Sequence, residues 1–268
     1  MKTKTRPGPV AGSITGAWWQ SFYEDTPFEL YLKRTDAAEV AATIAFLRDK
    51  LQVADGARLF DQCCGLGGMS IPLAEAGFDV VAVDLCHKYI DMARAAVADT
   101  ALKADFHQGD AFVFLPPGKN DVDGAFNWYT SFGYSEDDDV NARMISRAFE
   151  ALKPGARFAL DFLNMPMIMQ SFKKTMACTL AGDGGAILQE RECSLDVAKG
   201  TMLQNWTWTL PDGKVLKQAS TLRAYMPCDL VRMFKQCGFT EVELFGDIQG
   251  GPLTVDSGRC IILGRKPI

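Results

Sequence analysis

The chain has 268 residues, a formal net charge of −5, 48% hydrophobic and 23% charged residues, an ordinary globular balance with room for one large domain and an insertion. No basic run supplies the clustered Lys and Arg that a phosphate-tracking surface needs, so nucleic acid is not an expected partner. No apolar stretch approaches the ~20 residues of a membrane helix.

Residues 1–16 are basic, rich in Gly, Pro and Thr, and lack an apolar centre. They read as a flexible tail, not a signal peptide. Residues 17–57 read as a helical lid. It opens with the aromatics Trp18, Trp19, Phe22, Tyr23, Phe28 and Tyr31. A second helix follows, with Asp36 as N-cap and Ala37, Val40, Ala41, Ile44 and Leu47 at helical spacing. Arg58–Gln62 is a short β-forming run that contains an acid, Asp61. A turn of small residues follows, Cys63–Gly68, then a helical pattern closed by Gly77. Asp79–Val83 reads as a second buried strand capped by Asp84. Strand, glycine turn, helix, strand, acid is the layout of a nucleotide-binding crossover. Gly65 and Gly67 let the backbone turn sharply. A carboxylate at the tip of the second strand can accept hydrogen bonds from both ribose hydroxyls. The dinucleotide fingerprint would need a glycine at 62 or 63, where Gln62 and Cys63 stand.

Helical stretches at His87–Ala98 and Val140–Leu152 then alternate with strands at Ala104–Gln108, Val122–Asn127 and Arg157–Phe162. That alternation predicts a doubly wound α/β fold with a mostly parallel sheet. Residues 164–226 read as an antiparallel insertion. Its strands are Ile187–Asp196, Met202–Leu210 and Val215–Tyr225, joined by turns at Lys199–Gly200 and Pro211–Gly213. Met202, Gln204, Trp206 and Trp208 share one strand face, which would wall a substrate pocket, bury a homodimer interface or pack on the domain. A helix at Cys228–Cys237 and strands at Thr240–Phe245 and Arg259–Leu263 close the chain. The eight cysteines include no C-x-x-C pair. No disulfide framework or metal site is expected, and a cytoplasmic location is the default.

The turn Asp61-x-Cys63-x-Gly65-x-Gly67 resembles motif I of the class I S-adenosylmethionine-dependent methyltransferases, D-x-G-x-G-x-G, with Cys63 in place of the first glycine. A positive φ at Cys63 would be costly. Phe106–Ala111 resembles the family's third-strand end, Val122–Asn127 its fourth strand, and Ala151–Phe158 the turn before its fifth. The resemblance implies a seven-stranded sheet whose core is 58–163 plus 227–268, and S-adenosyl-L-methionine as cofactor. It implies cofactor contacts from Asp61, Cys63, Cys64, Gly65 and Gly67 in the turn. Asp84 and Leu85 would follow the second strand, Asp110 and Ala111 the third, and Asn127 the fourth. Tyr31 and Arg34 would contribute from the lid, Arg34 as a bidentate partner for the methionyl carboxylate.

Methyl transfer from a sulfonium needs alignment and exclusion of water more than a catalytic triad. The loop after the fourth strand offers Trp128, Tyr129, Phe132 and Tyr134 as substrate contacts, with Tyr129 and Tyr134 as catalytic candidates and Asp161 as a further possible base. Trp206 is a candidate wall and Arg223 a candidate anchor for an acidic substrate. His87 and His107 read as structural. The expected reaction is methyl transfer to an N, O or C atom of a small molecule. The alternatives are a nicotinamide-dependent oxidoreductase and a non-catalytic cofactor-binding protein.

Overall fold

The computed structural model describes residues 17–34, 36–118, 120–182 and 184–268. The tail expected over residues 1–16 lies outside them. The lid holds α1 (Trp19–Asp25), α2 (Glu29–Leu32) and α3 (Ala37–Leu51). Asp36 caps α3 by accepting from the Ala38 N–H at 3.0 Å. The core continues through β1 (Arg58–Gln62), α4 (Ser70–Glu75), β2 (Asp79–Asp84), α5 (His87–Val97), β3 (Ala104–Gln108), β4 (Val122–Asn127), α6 (Asp138–Ala151) and β5 (Leu152–Phe162). Then come α7 (Met165–Gln170), β6 (Thr175–Gly182), β7 (Gly185–Asp196), β8 (Thr201–Thr209), β9 (Val215–Arg223), α8 (Pro227–Gln236), β10 (Thr240–Phe245) and β11 (Cys260–Arg265).

Seven strands form one sheet in the order β10-β11-β5-β4-β1-β2-β3. β1 to β5 pair in parallel, and β11 runs antiparallel to both neighbours. Alternate residues face opposite sides. Phe60 and Val81 pack with Ile145 of α6 and Phe234 of α8. Leu59 and Val80 pack with Leu47 of α3, Leu73 of α4 and Ile90 of α5. The strand order reverses between β1 and β4, and their carboxyl ends, Gln62 and Asn127, lie side by side. That is the crevice where open α/β sheets hold ligands.

Two boundaries move. α6 starts at Asp138, not Val140, because Asp137 caps it through the Asp139 N–H and two acids favour the positive helix end. β5 begins at Leu152, paired with Val122, and the pairing shifts before it resumes at Arg157. Gly155, at φ +82°, lies in that irregular stretch.

The insertion is a four-stranded antiparallel sheet, β6-β7-β8-β9. The sequence pattern had offered three strands. β6 escaped it because Ala177 and Ala181 occupy outward positions of this edge strand, which masks the alternation of Met176, Cys178 and Leu180 on its inner face. Trp206 and Trp208 stack on the inner face, 5.8 Å between centroids at 7°. Phe22 lies 5.8 Å from each ring and Phe28 lies 5.7 Å from Trp206. The lid of the same chain therefore covers the tryptophan row, and a second copy is not needed to bury it.

The turn after β1 generates a stability test. Gly67 has φ +79°, and a Cβ there would meet Phe106 at 3.0 Å and Ile71 at 3.1 Å. Gly68 has open space. Gly67→Ala should lower unfolding stability by about 1–3 kcal/mol in denaturant titration. Gly68→Ala should stay within about 0.5 kcal/mol. Equal losses in the two variants would refute the tight turn.

Candidate active site

The turn that leaves β1 needs left-handed backbone three times, at Cys63 (φ +62°), Gly65 (+55°) and Gly67 (+79°). For Cys63 that conformation costs roughly 1–2 kcal/mol. The surroundings hold the turn in place. Cys64 N–H donates to the Val83 carbonyl at 3.0 Å. Asp84 accepts from Gly65 N–H at 2.8 Å with one carboxylate oxygen and from Cys86 N–H at 2.9 Å with the other. Asp61, buried beneath the turn, accepts from the Ser70 hydroxyl at 2.6 Å. Burial pushes its carboxyl up to about 8, and the Asp84 charge adds to that while Ser70 opposes it. Burial raises Asp84 as well, against its backbone N–H donors. After β3, Asp110 accepts from Phe112 N–H at 2.9 Å.

The loop after β4 is also strained, with Tyr129 at φ +59° and Thr130 at +64°. Asp161 on β5 restrains it by accepting from Tyr129 N–H at 3.0 Å. Arg259 pairs with the same carboxylate at 2.8 Å and lies 5.7 Å from the Tyr129 ring centroid. Burial lifts the Asp161 carboxyl to about 6, although Arg259 opposes it. The lid is bonded across this loop. The Tyr23 and Tyr134 hydroxyls lie 2.8 Å apart, and Trp18 Nε1–H donates to the carbonyls of Tyr134 at 3.3 Å and Thr221 at 3.1 Å.

These elements enclose a cavity of about 560 Å³, a usual size for a small-molecule site. Tyr31, Asp61, Cys63, Cys64, Gly65, Asp84, Leu85, Asp110 and Ala111 line the end at the sheet edge. Trp128, Tyr129, Tyr134 and Trp206 line it elsewhere. Gly67 and Asn127 are not in the lining; Gly67 sits against Phe106 and Ile71, and Asn127 is fully buried. Asn127 donates to the Ser131 carbonyl at 3.2 Å, and its Oδ1 has no partner.

Three candidates stand apart from the cavity. Arg34 is exposed, with its guanidinium 5.9 Å from the Tyr31 ring centroid. Phe132 is buried in the core against Phe162 and Tyr225. Arg223 is committed to Asp138, at 2.8 and 3.1 Å, and to the carbonyl of Gly200, so it has no reach to a cavity ligand. His87 pairs with Asp91 and His107 with Asp105, both outside the lining. The sequence pattern also passed over Tyr23, Tyr89, Lys173 and Arg191, which do line the cavity. For Arg191 a signal existed. It occupies an inward position of an alternating strand, beside Ile187, Gln189 and Cys193.

Residues 59–155 match the family model described as a methyltransferase domain. That segment, about a third of the chain, is similar to methyltransferase domains. Human tRNA (uracil-5-)-methyltransferase homolog A is 33% identical over 92 residues, which cover 34% of this chain and 14% of that protein. The S-adenosyl-L-methionine-dependent Diels-Alderase iccD of Talaromyces variabilis is 30% identical over 157 residues, 56% of this chain and 47% of its own. The chain thus spans less than half the length of either relative. Among solved structures, the CcbJ methyltransferase of Streptomyces caelestis superposes with a TM-score of 0.75 at 18% identity, covering 93% of this chain and 99% of that one. The sugar N-methyltransferase KedS8 of a Streptoalloteichus species gives 0.69 at 19% identity over the whole of both chains. At such identities the likeness is one of fold.

S-adenosylmethionine is the cofactor that the matched segment implies, and the residues present fit it. A carboxylate has about four acceptor sites, and Asp84 spends one per oxygen on the backbone, which leaves acceptors at the cavity. The turn at Gly65 and Gly67 has no side chain to obstruct close approach.

Asp84→Ala should lower thermal stability, since two backbone donors lose their acceptor. It should also weaken S-adenosylhomocysteine binding by tens-fold or more, ~2–4 kcal/mol if two ribose bonds are lost. Affinity unchanged in calorimetry would mean the acid serves the fold alone. Asp61 makes a pH prediction. The unfolded chain releases its proton near the ordinary 3.8 and the folded chain only near 8, so this group's contribution is full below about pH 4 and is lost as pH rises towards 8. Asp161 completes its own change by about 6. In thermal melts of the unliganded chain, Asp61→Asn should therefore lose less stability than wild type between about pH 6 and 8. Parallel profiles would show Asp61 ionised throughout.

Proposed function

We propose that the chain transfers the methyl group of S-adenosylmethionine to a small-molecule acceptor held between the Trp128–Tyr134 loop and the inner face of the insertion sheet. The observation that carries this reading is the continuity of the cavity, from Asp84 and Asp110 at the sheet edge to Trp206 on the insertion. When bound, the cofactor supplies an activated methyl carbon and a neutral leaving group. The residues of the chain do the rest by position. Asp84 holds the ribose hydroxyls, Asp110 the adenine amino group and Ala111 N–H the ring. Tyr31 packs over the cofactor, and Trp128, Trp19 and Phe112 exclude water from the middle of the cavity. Burial pushes the Tyr129 hydroxyl up to about 12 and the Tyr134 hydroxyl higher still. Neither is a phenolate at neutral pH, so both orient the acceptor as hydrogen-bonding groups and not as bases.

A small acceptor is favoured over RNA on two grounds. The cavity is roofed by the lid and the insertion of the same chain. The sequence, at a net charge of −5, carries no run of clustered Lys and Arg of the kind that tracks phosphates. The RNA-modifying relative shares only 92 residues with this chain. No helix among the described residues is long and apolar enough to cross a membrane.

Incubation with methyl-labelled S-adenosylmethionine and a metabolite pool should give labelled small molecules and S-adenosylhomocysteine, the latter only when the pool is present. Calorimetry should show S-adenosylhomocysteine binding and no NAD binding. Label in co-purified RNA in place of small molecules would overturn the acceptor class. NAD binding without S-adenosylhomocysteine binding would overturn the cofactor. Binding with no transfer to any pool would leave a non-catalytic protein.

A further inference from the structure

The cavity is electrically divided. Its acids, Asp84, Asp110 and an Asp61 carboxyl that burial keeps mostly protonated at neutral pH, stand at the sheet edge, whereas its two cationic side chains, Lys173 and Arg191, stand at the insertion. Arg191 points from β7 to the inner face of the sheet, opposite Met176 on β6 and Trp206 on β8. Its guanidinium lies 4.8 Å from the Trp206 ring centroid. Nη1 donates to Gln204 Oε1 at 3.0 Å, and Nη2 meets only the Met176 sulfur at 3.2 Å, a weak acceptor.

A half-buried guanidinium ordinarily has a carboxylate partner. Arg157, Arg223, Arg259 and Arg265 each have one. Arg191 has none among the described residues. Five N–H donors face two acceptors, one of them poor. The stack on Trp206 and the bond to Gln204 hold the plane of the fork in a fixed orientation, the arrangement that suits a bidentate oxyanion. The apolar walls around it strengthen such a bond.

We propose that the acceptor carries a carboxylate and that Arg191 receives it, with Lys173 adding positive charge at the same end. This inference rests on the methyltransferase reading of the cavity. It names the acceptor's anchoring group and leaves the methylated atom at the other end of the molecule, towards Tyr129 and Tyr134. An amine acceptor without an acid would meet like charge at this wall and find no partner for the fork.

The test uses the full chain saturated with S-adenosylhomocysteine. The probes are benzoate and 3-phenylpropanoate, each against its neutral primary amide, with inorganic phosphate as a separate arm. Binding is read by tryptophan fluorescence and by saturation-transfer NMR. Each acid should bind at least about ten-fold tighter than its amide. Arg191→Gln, which can still donate to Gln204, should bring that ratio close to one, and Arg191→Lys should keep part of it. Near-UV circular dichroism and S-adenosylhomocysteine affinity should be unchanged in both variants. Acids that bind no better than amides, acids that do not bind, or a preference that survives Arg191→Gln would each overturn the assignment. Phosphate binding tighter than either acid would overturn it in favour of a phosphorylated acceptor. Failure of the wild-type chain to bind S-adenosylhomocysteine would instead remove the cofactor reading on which the proposal stands, so the two failures are distinguishable.

Discussion

The carboxylate of Asp84 is the constraint on which the site depends. It ties the turn after β1 to the tip of β2, through Gly65 N–H on one side and Cys86 N–H on the other. Charge-assisted bonds to backbone donors are worth more than neutral ones, about 1.5–3 kcal/mol each. They stand against a left-handed Cys63 and the burial of the carboxylate itself. Without them the chain has no reason to keep its sharpest bend at the strand-order reversal, where the parallel sheet opens a crevice. The acid that anchors the turn also faces the cavity, so fold and binding draw on the same four lone pairs.

A second set of restraints shapes the far wall. Strained residues persist only where their surroundings over-determine them. Tyr129 and Thr130 are held by Asp161, and Asp161 by Arg259, which comes from the end of the chain. Tyr134 is held by Tyr23 and Trp18, which come from its beginning. The Trp128–Tyr134 loop is thus set by side-chain contacts that span 32 to 116 positions along the sequence. Those contacts bring lid, core and insertion onto one cavity. They also explain why the tryptophan row of β8 packs inward. Phe22 and Phe28 offer it an aromatic surface within the chain, so its burial needs no partner.

How much of this was legible follows from how local each signal is. The strand–turn–helix–strand unit at Arg58–Asp84 is written within 27 consecutive residues, and its burial pattern repeats the sequence pattern. Asp36 and Gly77 marked a helix start and a helix stop for the same local reason. β6 was missed because the outward Ala177 and Ala181 blur the contrast with the inward Met176, Cys178 and Leu180. Arg223 and Arg191 show the limit for site residues. Both are arginines on insertion strands, and composition alone made either a possible anchor. Only the fold shows that Asp138, 85 positions away, occupies the first and that, among the described residues, no carboxylate pairs with the second. Cys63 shows the opposite case. At its place in the motif a positive φ reads as costly for a residue with a Cβ, and the backbone adopts φ +62° there nonetheless.

The division of labour between core and insertion follows from the same geometry. The matched methyltransferase segment, 59–155, ends before the insertion begins. Everything that a nucleoside cofactor needs from a protein, a tight turn, acids at strand ends and a helix amino end, lies inside that segment. Apart from the Trp128–Tyr134 loop, the far walls of the cavity lie outside it, on elements that the core positions without dictating their side chains. In this chain those elements present a paired tryptophan face, a glutamine and an uncompensated guanidinium. Moving Arg191 by one position along β7 would turn it to solvent, because strand residues alternate between faces. The insertion end of the cavity therefore depends on strand register as closely as the sheet-edge end depends on the turn held by Asp84.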